Sequence, residues 1–290
     1  MRRYIQMVHP IFDTLERYWE GDAGQRMVAN LLLFSFVAGL LVIEVSRQDI
    51  LTTVAGFQIP TNHFYAVDFT FKMLLLAELA ALIFGLAHSV ANSVGKQIEI
   101  LSLILLRETF KEFTHFEEPI MWAQVQPVLQ PMLIEAAGAL SVFVILGFYY
   151  RAQRHRAIVD DAQELASFIA AKKIVALSLL LTFVSIGGYM LVRWWTMGQP
   201  AAFFEACYTI LVFADVLLVL VSLRYTTTYA VVFRNSGFAI ATVLIRLALI
   251  APPPVNVGLG IGAALFALGL TVAYNTFANI LTEQHAPSHA

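Results

Sequence analysis

Residues 203–224 read FFEACYTILVFADVLLVLVSLR, an apolar run interrupted in its middle by one acid, Asp215. A helix of about 20 mainly apolar residues is long enough to cross a hydrocarbon core of about 30 Å. Similar blocks recur along the chain, and we predict eight membrane-spanning helices, at 27–46, 64–88, 97–112, 131–150, 174–193, 203–224, 237–251 and 257–280. The third and seventh blocks are short and carry charge, so a strict hydropathy threshold would miss them.

The composition supports this interpretation. Hydrophobic residues make up 59% of the 290 residues and charged residues 13%, whereas soluble domains average about 45–50% apolar and about 25% charged. The sequence therefore predicts an all-α, polytopic transmembrane bundle whose main partner is the lipid bilayer. The net charge of −2 provides no basic field for nucleic-acid binding.

Catalytic and cofactor motifs are missing from the sequence. One cysteine, Cys207, excludes an internal disulfide and a cysteine-based metal cluster. None of the seven histidines lies in the middle of a predicted span, which argues against haem and histidine-bound metal. The acidic DDAQE segment at 160–164 resembles one half of a magnesium–diphosphate site, but a solvated helix explains it more simply. We therefore expect no cofactor, no metal and no enzymatic activity.

The polar segments divide the chain into five parts. These are a cytoplasmic N-terminal segment (1–26), a first four-span unit (27–150), a cytoplasmic interfacial helix (151–173), a second four-span unit (174–280) and a tail (281–290). With eight crossings and a cytoplasmic N-terminus, two thirds of the 18 Lys and Arg residues fall on the cytoplasmic side. We expect the chain to lie in the inner (cytoplasmic) membrane of a cell, with both termini in the cytoplasm.

The two units share a pattern that predicts an internal duplication. FKMLLLAELAALIFGL in the first and LVFADVLLVLVSLRY in the second each carry one acid in mid-helix, Glu78 and Asp215. After a polar turn, the next helix carries Arg107 in the first unit and Arg246 in the second. The acid and the arginine are 29 residues apart in one unit and 31 in the other. Units of four spans each would lie parallel in the membrane.

This helix–turn–helix pattern resembles the phosphate-starvation-inducible PsiE family of small four-span membrane proteins. The matching stretch is 213–250, with Phe213, Asp215, Arg246 and Leu247 as they stand. The first half is a looser match, through Glu78 and Arg107. The chain departs from the family in being about twice the expected length and in adding the 151–173 segment. The resemblance implies a fold and names no reaction.

The charges inside the predicted spans are the candidate site. A charge at the bilayer centre costs about 2.5–3.5 kcal/mol, so such residues are usually paired. Counted from the predicted helix ends, Glu78 and Arg107 overlap in depth, and so do Asp215 and Arg246. We predict one ion pair in each unit.

A secondary polar cluster consists of Asp68, Lys72 and Glu135. Asp68 and Lys72 are four residues apart on one helix face and would pair with each other. Lys72 could alternatively reach Glu135, which lies at a similar depth on the fourth span.

Two functions remain open. The charges can form a polar path between the units for an ion or small solute. Alternatively, they can fix helix rotation in a non-catalytic accessory or scaffold subunit, whose partner is either a membrane complex or a second copy of the chain in a homo-oligomer. A water-lined cavity reaching Glu78 or Asp215 would favour transport, and a dry interior would favour the scaffold.

Overall fold

The computed structural model describes residues 2–49, 53–54, 57–86, 90–153, 162–197, 203–223 and 229–284. In this part of the chain almost all of the structure is helical. The nine α-helices are α1 (Arg2–Glu20), α2 (Asp22–Arg47), α3 (Phe64–Gly85), α4 (Val90–Lys111), α5 (Trp122–Ala152), α6 (Ala162–Met197), α7 (Phe203–Leu223), α8 (Tyr229–Ile250) and α9 (Val255–Gln284). A short antiparallel pair, β1 (Thr53–Val54) and β2 (Phe57–Gln58), follows α2, and a 3₁₀ turn (Glu112–His115) follows α4.

The helices from α2 onward run up and down the bundle. We call the end at which α2 begins the proximal end and the end at which α2 finishes the distal end. At the distal end Arg47 contacts Glu118, and His63 contacts both Glu44 and Glu118. At the proximal end the Tyr149 hydroxyl donates to the carbonyl oxygen of Ala91 at 2.7 Å.

Six helices are long and apolar enough to cross a membrane: α2, α5, α6, α7, α8 and α9. The prediction of an all-helical chain with membrane-spanning segments is confirmed to this extent. The short seventh block is part of a full-length helix, because α8 begins at Tyr229 and not at 237. In α3 the charges Asp68, Lys72 and Glu78 all lie within 22 residues, and α4 carries five charged residues, so composition alone does not make either helix a span.

Several predicted boundaries differ from the structure: α4 begins at Val90 and α5 at Trp122, earlier than predicted, and α9 continues to Gln284. The predicted division at 173/174 falls inside α6, which is continuous from Ala162, so the segment 162–173 extends a long helix and does not form a separate interfacial one. Residues 154–161, which include the two aspartates of DDAQE, lie outside the described residues. At the N-terminus, residues 22–26 already belong to α2.

Helix α1 packs beneath the bundle. Its Phe12 is fully buried and meets the ring of Phe84 on α3 edge-on at 5.7 Å. Its Asp13 pairs with Lys173 on α6. The N-terminal segment is therefore helical, and Phe12 and Asp13 attach it to the rest of the protein.

Two hydrophobic cores join the halves. One draws on α1, α3, α4, α6 and α7, and the other on α4, α5, α8 and α9. In the second core Ala263, Ala264 and Ala267 are fully buried, and such small residues allow helices to approach closely. Helix α4 belongs to both cores, so it lies at the centre of the molecule between the two halves.

Candidate functional site

Asp215 and Arg246 lie side by side in the interior of the second half. Arg246 Nε is 3.6 Å from Asp215 Oδ2, and the two residues are 1% and 5% exposed. Asp215 is on α7 and Arg246 on α8, as the sequence predicts. The contact joins two neighbouring helices through a buried pair of opposite charges.

The pair is held by charge attraction and not by a hydrogen bond. Asp215 Oδ2 and all three nitrogens of the Arg246 guanidinium are buried without a hydrogen-bond partner among the described residues. A buried ion pair normally needs further hydrogen bonds to offset its desolvation. The pair therefore has unused donors on Arg246 and an unused acceptor on Asp215.

The predicted pair between Glu78 and Arg107 is wrong. Arg107 Nη2 donates to Oε1 of its neighbour Glu108 at 2.7 Å, and Arg107 Nη1 donates to the carbonyl oxygen of Phe71 at 3.4 Å. Phe71 is two helical turns from Glu78 on α3, so the guanidinium lies towards the distal end from Glu78. Arg107 is within electrostatic range of Glu78 but makes no ion pair with it.

The two arginines also differ in the residue that follows them along the chain. Arg107 is followed by Glu108, whereas Arg246 is followed by the neutral Leu247. Glu108 lies on the same helix as Arg107, so this pair forms without any particular alignment of two helices. Arg246 has no such neighbour and reaches Asp215 on the adjacent helix.

The secondary cluster divides into two separate contacts. Lys72 Nζ lies 2.6 Å from Asp68 Oδ2, as the i, i+4 spacing predicts. Glu135 does not contact Lys72: its Oε1 accepts a hydrogen bond from Asn256 Nδ2 at 2.8 Å, and its Oε2 has no partner among the described residues. Asn256 is on α9, so this buried contact joins the two halves near the distal end.

A distal cavity of about 560 Å³ lies between the halves. It is bordered by α3, α4, α7, α8 and the beginning of α9. Charges of both signs line its walls, namely Asp68, Lys72, Arg107, Glu108, Lys111 and Glu205. Tyr208 of α7 also lines it, and this residue lies within electrostatic range of Arg107, Arg246 and Glu78. Tyr208 is therefore close to the charged groups of both halves.

A smaller inter-half cavity lies on the proximal side of the Asp215–Arg246 pair. Its volume is about 40 Å³, space for about two or three ordered water molecules. Its walls come from α4, α6, α7 and α8, and most of its side chains are polar: Ser93, Gln97, Lys172, Asp215, Ser222, Asn235 and Thr242. Gln97 Oε1 is buried without a hydrogen-bond partner among the described residues.

The third cavity is the proximal cavity, of about 750 Å³, formed by α1, α2, α3, α4 and α5. Glu78 is one of its lining residues, together with Glu20, Lys96 and Glu99. Both carboxyl oxygens of Glu78 are buried without a hydrogen-bond partner among the described residues, and the residue is 7% exposed. The acid that lacks its predicted partner therefore lies at the wall of a polar space.

Several buried polar residues were not predicted. Arg234 on α8 stacks over the ring of Tyr274 at 4.6 Å, and Lys172 on α6 lies over the ring of Phe168 at 4.7 Å. The sequence predicted Lys172 in the cytoplasmic interfacial helix and Arg234 in a cytoplasmic segment before the seventh span, because α6 and α8 were predicted to begin too late. Extending each helix pattern towards the N-terminus would have included them.

Comparison of the chain with family models, with curated proteins and with solved structures gave no match. The fold and its six apolar helices define the class, a multi-pass helical membrane protein. The resemblance to the PsiE family stays a prediction.

Proposed function

We propose that this protein moves a small charged solute across a membrane along a polar path between its two halves. The path runs from the distal cavity, past Tyr208 and the Asp215–Arg246 pair, to the inter-half cavity. The observation that carries the proposal is the position of this pair, since Asp215 is buried yet lines a small cavity whose wall includes six other polar side chains.

The buried pair would act as the solute-responsive element of the path. Since neither group has its full set of hydrogen bonds, a cation can replace Arg246 beside Asp215, and an anion can replace Asp215 beside Arg246. Either exchange leaves one group of the pair in need of a new partner, because an unpaired charge is costly in a low-dielectric interior. Binding of solute would thereby be coupled to movement of α7 against α8.

The proposal includes eight crossings, by helices α2 to α9, in an inner membrane with both termini in the cytoplasm. Helices α3 and α4 have 22 residues each, about 33 Å at 1.5 Å per residue, which matches the bilayer core. The charges of α3 and α4 are compatible with a position in the membrane, because several of them line internal cavities and are not directed at lipid. Labelling of single cysteines at Gln48, Asn92 and Glu117 from each side of the membrane tests it, since the proposal requires Asn92 on the side opposite to Gln48 and Glu117.

An internal duplication is also part of the proposal. Helices α2 to α5 pack each on the next, and helices α6 to α9 do the same. The helices that would correspond, α4 with α8 and α5 with α9, contact each other across the halves, as expected around a two-fold axis. This pattern supports parallel repeats with the solute path at their junction.

Water access to the inter-half cavity tests the path. In a chain with Cys207→Ala, we would place a cysteine at Thr242, which lines the cavity, and in a matched variant at Ile240, which is exposed on the outer face of the same helix. In reconstituted vesicles a small, charged thiol reagent should modify T242C and leave lipid-facing I240C unreacted. If the reagent modifies neither cysteine, the proposed path is wrong.

A scaffold is the second candidate, and helix α2 is the observation in its favour. In the membrane-spanning window of α2 only 6% of residues are buried, compared with 44% in α8 and α9. Leu33, Phe34 and Leu41 are among its exposed side chains, and a partner subunit would cover such a face as well as lipid does. The scaffold would be favoured if the thiol reagent failed to modify T242C and a membrane subunit co-purified stably with the protein.

A further inference from the structure

Glu78 is the buried acid that the proposed path does not use. It lies on α3 in the first half, at the position that corresponds to Asp215 in the second. Unlike Asp215, it has no guanidinium in contact, and neither carboxyl oxygen has a hydrogen-bond partner among the described residues. A charge without a partner is costly in a low-dielectric site, and binding of a proton removes that cost.

The distal and proximal cavities approach each other at this acid. On α3, Leu75 lines the distal cavity and Leu74 the proximal one; on α4, Ile104 lines the distal cavity and Leu103 the proximal one. Because neighbouring residues of both helices line different cavities, the barrier between the two cavities is the layer formed by α3 and α4. Glu78 lies on the proximal side of this barrier.

Tyr208 provides the polar group on the other side. Its side chain lines the distal cavity, and Glu78 is within electrostatic range of it. A tyrosine hydroxyl both donates and accepts hydrogen bonds, so it can accept one proton and release its own. Glu78 and Tyr208 therefore lie on opposite sides of this barrier, and both carry groups that exchange protons.

The charged groups around Glu78 come from several elements. Helix α4 contributes Arg107, Lys96 and Glu99, of which Lys96 and Glu99 pair with each other at 3.2 Å. Helix α1 contributes Glu20 on the cavity wall, and α7 contributes Tyr208. Helix α2 contributes the neutral Gln25 and Val28. The side chains of α6 in the shared core are apolar.

We propose that Glu78 carries a proton between the proximal cavity and the distal cavity, which belongs to the solute path proposed above, on which this inference rests. On uptake, one carboxylate oxygen forms an O–H bond with a proton from water of the proximal cavity. On release, this O–H bond breaks, the electron pair stays on the carboxylate, and the proton passes through the Tyr208 hydroxyl to water of the distal cavity.

The test uses the full chain in liposomes that contain a pH-sensitive dye. A potassium gradient with valinomycin sets a membrane potential, and proton entry is recorded. Glu78→Gln should slow proton entry about a hundredfold, the lower end of what a positioned proton-transfer group contributes. The matched control is Glu99→Gln, since Glu99 lines the same cavity with 40% of its side chain exposed and is already paired. It should leave the rate unchanged.

A second variant and a second measurement guard against misfolding. Tyr208→Phe removes one oxygen and keeps the ring, and it should also slow proton entry. Infrared spectra of the wild type near neutral pH should contain the carbonyl band of a protonated carboxyl group, and this band should be missing in E78Q. Either of two results would overturn the inference: protons enter wild-type liposomes no faster than protein-free ones, or they enter E78Q liposomes as fast as wild-type ones. A reactive T242C cysteine alongside either result would leave the solute path intact, so the two proposals can fail separately.

Discussion

Arg107 donates a hydrogen bond to the carboxylate of Glu108, the next residue of the same helix, at 2.7 Å. The matching arginine of the second half, Arg246, is followed by Leu247 and lies instead beside Asp215 of another helix. The helix pairs α3–α4 and α7–α8 are similar, but Glu108 pairs with the arginine in the first and has no counterpart in the second. The first half keeps an isolated acid, Glu78, and the second keeps an ion pair.

Double-mutant cycles should report this asymmetry. Removing one partner of a buried ion pair costs about 3–5 kcal/mol, because the other charge is left uncompensated. We expect Asp215→Asn and Arg246→Gln each to lower stability strongly, and the double variant to be more stable than the sum of the two losses predicts. For Glu78→Gln and Arg107→Gln the losses should add. Unfolding of each variant in detergent gives the coupling energies.

The substitution Leu247→Glu supplies the control for this explanation. It gives the second half the acid that captures Arg107 in the first, and the side chain of Leu247 is exposed. In this background the coupling between Asp215 and Arg246 should fall by more than half. A coupling that stays the same would show that helix position, and not the neighbouring acid, selects the partner.

The contact between Glu135 and Asn256 should matter more than other hydrogen bonds between α5 and α9. Glu135 is 1% exposed, and the amide of Asn256 is its hydrogen-bond donor. Asn256→Ala leaves a buried acceptor unsatisfied, which costs about 1–3 kcal/mol. Asn275→Ala is the matched control, since Asn275 of α9 donates to the Ala152 carbonyl oxygen at a half-buried position. We expect thermal unfolding to show a larger loss for N256A, and an equal loss would contradict the assignment.

Close packing of α5 on α9 depends on Gly138. A Cβ atom at this position would lie 2.5 Å from Val257 Cγ1, closer than real Cβ contacts allow. Gly138→Ala should therefore destabilise the protein by about 1–3 kcal/mol, the usual cost of overpacking. Val257→Ala removes the clashing methyl groups, and the double variant should recover most of the loss. Gly147→Ala, where a Cβ meets nothing within 4 Å, serves as the control.

The sequence predicts the helices well and their partners less well. Runs of apolar residues identify α2, α5, α6, α7 and α9, since hydrophobic length is the dominant signal in a membrane chain. Helices α4 and α8 were predicted to begin about two turns late, because their first residues, around Lys96 and Arg234, are polar. Those polar turns are stabilised by tertiary contacts, such as the ring of Tyr274 beneath Arg234, that no local pattern reveals.

The candidate site illustrates the same limit. Asp215 and Arg246 could be paired from depth and charge alone. The partners of Glu78 and Arg107 could not be predicted in this way. A comparison of depths ignores partners on the same helix, and Arg107 has such a partner in Glu108. The contact between Glu135 and Asn256 also escaped prediction, since a neutral amide on a distant helix carries no charge signal.

The distal clamp formed by Glu118 should weaken in acid. The hydrogen bond from the His63 side chain, with further help from the His63 backbone N–H and from Arg47, holds the pKa of Glu118 below its ordinary value of 4.5. Because the folded pKa is the lower one, the stabilisation is complete above about pH 4.5 and is lost as pH falls through the folded value. Glu118→Gln should cost about 0.5–1 kcal/mol at pH 5.5 for this partly exposed group and much less at about pH 3. Melting curves of wild type, E118Q and the exposed neighbour variant E117Q at both pH values check this, and a gap that widens in acid would contradict it.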